Sequence, residues 1–272
     1  MMQNPTPFDA MAKTYDADFT TSNIGRMQRN RVWTLLTPLL NETPGSLKIL
    51  EINCGTGEDA IRLAAMGHHV VATDASSAMI KIAKEKNGGS SVTLSNLQFT
   101  VCPFDRLSET FSTEQFDLVF SNFGGLNCID ADSLSSLSKV LSGLTHAKGK
   151  LFLVLLGKCC LREIVHYGIR GKFRTAFRRI KRSQPFRSNG QTMPVYYYSP
   201  GALKKIFAPE FTRVKKMPVG LFIPPTYLEE KFTNKLTTLK KLEKREIQFG
   251  YPLFSGLADH YCAVFNKNFR KT

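Results

Sequence analysis

The residues able to do chemistry gather in two short stretches. Glu51, Asn53, Cys54, Gly55, Thr56, Gly57 and Glu58 form a small-residue loop carrying two acids, and Asp74 follows roughly 20 residues past the glycines, the usual interval between such a loop and a ribose-binding acid. Glycines lack a Cβ, so the backbone can pass close to a bound molecule, and a helix beginning near Asp59 aims its free N–H groups into the same space. A carboxylate at the tip of the second strand is how such turns hold the two hydroxyls of a ribose, so the ligand read here is a nucleoside. Dinucleotide sites use Gly-x-Gly-x-x-Gly to approach a pyrophosphate. Here Glu51 stands ahead of the loop and Glu58 behind it, and negative side chains suit a cationic ligand. Asn53 is the non-glycine type that best tolerates positive φ, which lets the turn keep its shape. The second stretch, Ser121-Asn122-Phe123-Gly124-Gly125, ends another apolar run at the edge where open α/β sheets bind ligands.

Two such loops must be held by strands with helices between them. Short apolar runs bounded by turn residues predict strands over 48–52, 69–73, 97–101, 116–121 and 151–156, and further strands over 212–217 and 260–266. Apolar spacing of three and four predicts helices over 60–66, 76–84 and 134–144, with Ser76 or Ser77 capping the second. Leu228, Phe232, Leu236, Leu239 and Leu242 predict one charged helix near the carboxyl end. Ahead of the first strand, Phe8, Met11, Ala12, Tyr15 and Phe19 share a helical face, and 24–36 predicts a helix with Met27, Val32, Leu35 and Leu36 inward and its cations outward.

The chain has 272 residues, enough for one large α/β domain with insertions. No apolar run exceeds strand length and the amino terminus has no basic region followed by an apolar core, which predicts a soluble protein without a secretory signal. Six cysteines without a CxxC pair, two of them adjacent at Cys159-Cys160, speak against a zinc site or a disulfide framework and fit a reducing cytoplasm. No metal is expected. The charge is uneven: residues 158–216 carry fifteen Lys or Arg against Glu163 and Glu210, a net of +13 out of the chain's +15. Such a field attracts polyanions, acidic proteins or anionic membrane surface without choosing among them.

The first loop, with Glu51, Cys54, Gly55, Thr56, Gly57 and the strand-ending Asp74, resembles the first two motifs of the class I S-adenosylmethionine-dependent methyltransferases; Asn53 departs from their usual glycine. Asp117 and Asn122 resemble the fourth motif, and the Tyr15-Asp16 end of the first helix resembles a lid that closes over the cofactor. The resemblance implies an α/β fold, a Rossmann-like seven-stranded sheet with helices on both faces, an antiparallel last strand and a helical cap inserted after strand 5. It also implies S-adenosylmethionine as cofactor, held by Tyr15, Arg29, Glu51, Asn53, Cys54, Gly55, Thr56, Gly57, Asp74, Ala75, Met79, Phe104, Asp105, Asn122, Phe123 and Gly124. Arg29, or Arg31 outside that set, would pair the methionine carboxylate, and Met79 would lie against adenine. Cys102-Pro103-Phe104 replaces the family's usual Gly-Asp-Ala, leaving adenine to backbone groups, Asp105 or a stacked Phe104. The implied division is 1–46 lid helices, 47–157 cofactor-binding core, 158–199 basic substrate cap and 200–272 remainder of the core. Ile24-Gly25, Gln28-Arg29, Val32-Trp33, Ser121 through Asn127 and Tyr197-Tyr198-Ser199-Pro200 look like bacterial methyltransferases of aryl-polyene and flexirubin-type pathways, which implies a phenolic or polyketide-like acceptor on a carrier.

The region that chooses the acceptor is the cap. Leu161, Ile164, Val165, Ile169, Phe173, Phe177 and Ile180 alternate with arginines and lysines as one long basic amphipathic helix, relaxed by Gly168 and Gly171. Its basicity suits an acidic carrier protein, RNA or peripheral membrane contact. With no RNA-reading signature of the Lys/Arg-Gly-Phe type, a small acceptor is favoured over nucleic acid. An RNA methyltransferase and a non-catalytic nucleoside-binding or membrane-associated protein on the same fold are the competing readings. Methyl transfer is mostly placement of the two partners; where a proton must be taken, the candidates are His166, Tyr196, Tyr197 and His260.

Overall fold

The computed structural model describes residues 7–89, 93–188 and 190–268. The amino-terminal stretch read above for a leader, and Ser90 and Ser91, lie outside them. The strands are β1 (Lys48–Ile52), β2 (His69–Asp74), β3 (Leu97–Val101), β4 (Phe116–Ser121), β5 (Thr145–Leu156), β6 (Ser183–Ser188), β7 (Gln191–Tyr196), β8 (Phe211–Val219) and β9 (His260–Lys267). The helices are α1 (Pro7–Tyr15), α2 (Asn23–Leu40), α3 (Glu58–Ala65), α4 (Ser77–Gly88), α5 (Leu107–Thr110), α6 (Ala131–Leu144), α7 (Leu161–Gly168), α8 (Phe173–Ala176), α9 (Pro200–Phe207) and α10 (Leu236–Phe249). Seven strands form one sheet in the order β3-β2-β1-β4-β5-β9-β8. β1 to β5 are mutually parallel, and β9 runs antiparallel to both β5 and β8. This is the Rossmann-like sheet expected above.

Period-two alternation sorts the side chains into two cores. On β5, Phe152 and Val154 face one side with Leu36, Leu63 and Ile80 from the helices, while Leu151, Leu153 and Leu155 face the other with Leu137, Leu141 and Phe207. Helix starts are set locally: Ser22, Ser76, Asp130 and Ser199 each accept a backbone N–H from the first turn that follows. The chain leaves β1 toward β2 on one side and returns at β4 on the other. That reversal opens a crevice at the carboxyl ends of β1 and β4, where both small-residue loops emerge.

Three expectations change. The basic stretch is not one long helix: α7 and α8 are separated by Gly171 at φ +68°, a short turn follows over Arg178–Ile180, and β6 and β7 then pair as a hairpin. The predicted charged helix divides into a turn over Thr226–Lys231 and α10. On α2 the cations are not all outward, because Arg31 is buried, its guanidinium donating to Gly250 O at 3.3 Å. Among the described residues no helix is long and apolar enough to cross a membrane.

Candidate active site

The loop after β1 is clamped before it can serve a ligand. Asn53 takes φ +55°, the left-handed conformation its side chain tolerates. Its amide donates to Asn122 O at 2.8 Å and accepts from Ser121 Oγ at 2.6 Å, tying the β1 loop to the β4 loop. The absent third glycine therefore has a reason: the asparagine amide occupies the contact, and Gly125 makes room for it. A Cβ on Gly125 would lie 2.3 Å from Asn53 Cγ. Gly57 is also required, at φ +79° with Phe99 2.7 Å from where its Cβ would stand.

Asp74 ends β2 and turns inward. Its carboxylate accepts from Gly55 N and Ser76 N, each at 2.9 Å; burial raises its pKa, against the pull of those backbone bonds. Asp59, on the first turn of α3, gathers three donors: Trp33 Nε1 and Asn122 Nδ2, each at 2.8 Å, and the guanidinium of Arg29. Burial disfavours the Arg29 cation, and Asp59 outweighs that to raise its pKa. Arg29 also lies 5.3 Å from the ring centre of Phe123, itself held at φ +47°.

Together these groups line a cleft of about 130 Å³. Its walls include Phe8, Tyr15, Arg29, Glu51, Asn53, Cys54, Gly55, Thr56, Asp74, Ala75, Met79, Phe104, Asn122 and Phe123, so most of the expected set converges. Gly57 supports the loop from beneath, Gly124 faces a second chamber, and Asp105 is exposed and outside the cleft because the turn at Phe104–Arg106 points Phe104 inward instead. Phe8 lines the cleft from the lid helix, and Asp59, Cys102 and Cys128, which were not expected, line it too. Asp59 was visible only as a helix start, since its partners come from α2 and β4.

Three buried polar atoms here have no partner among the described residues: Glu51 Oε2, Asn122 Oδ1 and Arg29 Nε. Two acceptors and one donor, left unpaired, match an ammonium beside a carboxylate, the amino-acid end of S-adenosylmethionine. Burial, then the neighbouring Asp59, pushes the Glu51 carboxyl well above its ordinary value. The sequence above the cleft closes it. Asp9 accepts from Ser76 Oγ at 2.6 Å, Asp16 accepts from Thr56 Oγ at 2.6 Å and pairs with Lys86 at 2.6 Å, and Phe8 and Tyr15 become its roof.

A larger chamber of about 620 Å³ adjoins the cleft and shares Phe8, Tyr15, Arg29, Phe123 and Cys128 with it. Aromatic walls dominate: Phe19, Tyr167, Phe186, Tyr197 and Tyr227 join the shared rings. One end is polar and internally balanced. Arg179 donates to Glu163 at 3.0 Å and to Asp259 at 2.6 Å, Arg178 donates to Glu163 at 2.6 Å, and Gln28 donates to Asp259 at 3.1 Å. Burial opposes the Asp259 anion, and His260 with Arg179 overcome it to hold that carboxyl far below its usual range. Of the four proton-transfer candidates, Tyr197 and His260 line the chamber. His166 does not: it faces Lys231 and Arg170 on the outer side of α7. Tyr196 packs into the core beneath the sheet instead.

Residues 49–149 match the family model of a methyltransferase domain. The demethylmenaquinone methyltransferase of Clavibacter sepedonicus is 32% identical over 138 residues, covering 49% of this chain and 51% of its own length. The tRNA 5-carboxymethoxyuridine methyltransferase of Escherichia coli (strain K12) is 31% identical over 96 residues, 35% of this chain and 36% of that protein. The chain thus spans about half or less of the length of these curated relatives. Among solved structures, the CcbJ methyltransferase from Streptomyces caelestis shares the fold with a TM-score of 0.63 at 13% identity, covering 98% of this chain and 100% of that one.

Proposed function

We propose that this chain, whose residues 49–149 match a methyltransferase domain, is a class I S-adenosylmethionine-dependent methyltransferase that methylates a small phenolic or polyketide-like acceptor. The supporting observation is the aromatic chamber of about 620 Å³ that meets the cofactor cleft along a shared wall. That size is in the ordinary range for a drug-sized ligand. Its flat rings favour a flat apolar acceptor over a polyanion.

The cofactor supplies a methyl group on a positively charged sulfur, which makes the carbon electrophilic. Asp74 would take the ribose hydroxyls, with Met79 and Phe104 near the base. Glu51 and Asn122 would take the ammonium, and Arg29 the carboxylate through its unpaired Nε. Phe123, Tyr15 and Phe8 line both cavities where they meet, so they would orient the acceptor toward the bound cofactor and exclude water. His260 is the group in the chamber suited to take the phenolic proton. Its Nδ1 lies 3.2 Å from Asp259 Oδ2 and the ring packs edge-on to Phe123 at 5.3 Å, so the imidazole would be held in place to take the acceptor's proton.

Calorimetric titration with S-adenosylmethionine and S-adenosylhomocysteine, followed by release of the latter with a panel of phenols, tests this. Asp74→Ala should weaken cofactor binding about 10- to 100-fold, the loss of hydrogen bonds to a charged group. His260→Ala should lower kcat about 100-fold with little change in cofactor affinity. No cofactor binding would end the reading; methylation of RNA in place of phenols would move it to the second curated relative's class.

A further inference from the structure

The outer face of α7 and α8 is built in a way that methyl transfer does not use. Ile169 is 77% exposed, Phe173 62%, Ile180 55% and Val165 53%. Val165 and Ile169, four residues apart along α7 and its carboxyl end, project away from Tyr167, which lines the acceptor chamber. Beside them, a trough of about 590 Å³ runs between α7 and the segment 221–257, with Leu161, Val165, Ile169, Leu228 and Phe232 along it. The charged side chains lining this trough are Arg162, Arg170 and Lys231, with His166 between them and no carboxylate. Lys231 Nζ and Arg170 Nη1 stand 3.2 and 3.3 Å from the ring nitrogens of His166, a crowding of cationic groups that an anion would relieve. Among the described residues neither arginine nor Lys231 is in a salt bridge.

Monomeric surfaces rarely leave a contiguous apolar patch of this kind without a partner. A polyanion alone, such as RNA, would answer the cations and leave the projecting aliphatic side chains in water. A surface that is anionic above and hydrocarbon below answers both. We infer that this face of α7 and α8 docks on an anionic phospholipid membrane, with Val165, Ile169 and Phe173 entering the interface and Arg162, Arg170, Lys172 and Lys231 meeting the headgroups. The docking does not rest on the methyl-transfer reading; it would place α7 between the bilayer and the acceptor chamber that Tyr167 lines on the helix's other side.

Flotation of the full chain with vesicles of phosphatidylglycerol and phosphatidylcholine (about 3:7) against phosphatidylcholine alone tests it. The mixed vesicles should carry the protein, the neutral ones should not, and raising salt from about 0.05 to 0.5 M should weaken binding at least about tenfold. Ile169→Ser with Phe173→Ser, and separately Arg170→Glu with Lys172→Glu, should each lower binding about tenfold or more, with cofactor affinity and thermal melting unchanged because all four side chains are exposed. No binding to the mixed vesicles overturns the inference. So does binding that survives Ile169→Ser with Phe173→Ser, or tighter binding to an RNA homopolymer or an acidic polypeptide at equal salt.

Discussion

In the proposed site, the cofactor's ammonium and the cost of burial would act on Glu51 in opposite directions. Burial raises its carboxyl well above the ordinary 4.5, so the free folded protein binds a proton there that the unfolded chain has already lost. Stability of the free protein therefore falls as pH rises between those two values, since the native state holds the extra proton. An ammonium beside Glu51 reverses the preference, because it favours the carboxylate. Cofactor binding should then release a proton, and affinity should rise up to about tenfold per pH unit until Glu51 is ionised without help. Calorimetry in buffers of different ionisation enthalpy measures this directly. Glu51→Gln should flatten the pH dependence and bind more weakly at high pH; an unchanged slope in that variant would assign the proton elsewhere.

At the scale of elements, the β1 and β4 loops form one unit because Asn53 and Gly125 fit each other. Gly125→Ala would place a Cβ 2.3 Å from Asn53 Cγ and expel the amide from its bonds with Ser121 and Asn122. The loss should be about 2 kcal/mol of stability, together with weaker cofactor binding. Adding Asn53→Gly should restore part of both, since glycine keeps the positive φ and removes the collision; no recovery in thermal melting would refute the pairing. The same loops explain what the sequence made legible. Glu51 to Gly57 and Asp74 are readable because their roles follow from a local strand, turn and helix order. Asp59 was hidden because its three donors arrive from α2 and β4, 26, 30 and 63 residues away. The hairpin of β6 and β7 was hidden by its prolines: Pro185 and Pro194 stand opposite each other, which an isolated two-stranded ladder tolerates and a central strand does not. Gly168 and Gly171 signalled a loosened helix, but only the tertiary contacts of α7 decide that it ends there.

For the molecule as a whole, the cap is joined to the sheet by charge. Glu163 is fully buried on α7 and holds Arg178 and Arg179, and Arg179 in turn holds Asp259 beside β9. Buried ion pairs add little net stability while intact, but removing one member strands the other. Glu163→Ala should cost about 3 kcal/mol, visible as a lowered melting temperature, and should raise KM for the acceptor more than Kd for the cofactor. Equal effects on both would show that the cap and the cofactor cleft are a single cooperative unit. The connection has a consequence for how the protein is made. The described walls of the cofactor cleft all come from residues 8–128, whereas the acceptor chamber is finished only by Asp259 and His260. Under the proposed function, a chain emerging from the ribosome has the described donor-site walls in hand while the acceptor site still lacks β9, so synthesis itself would impose an order in which methyl transfer becomes possible last.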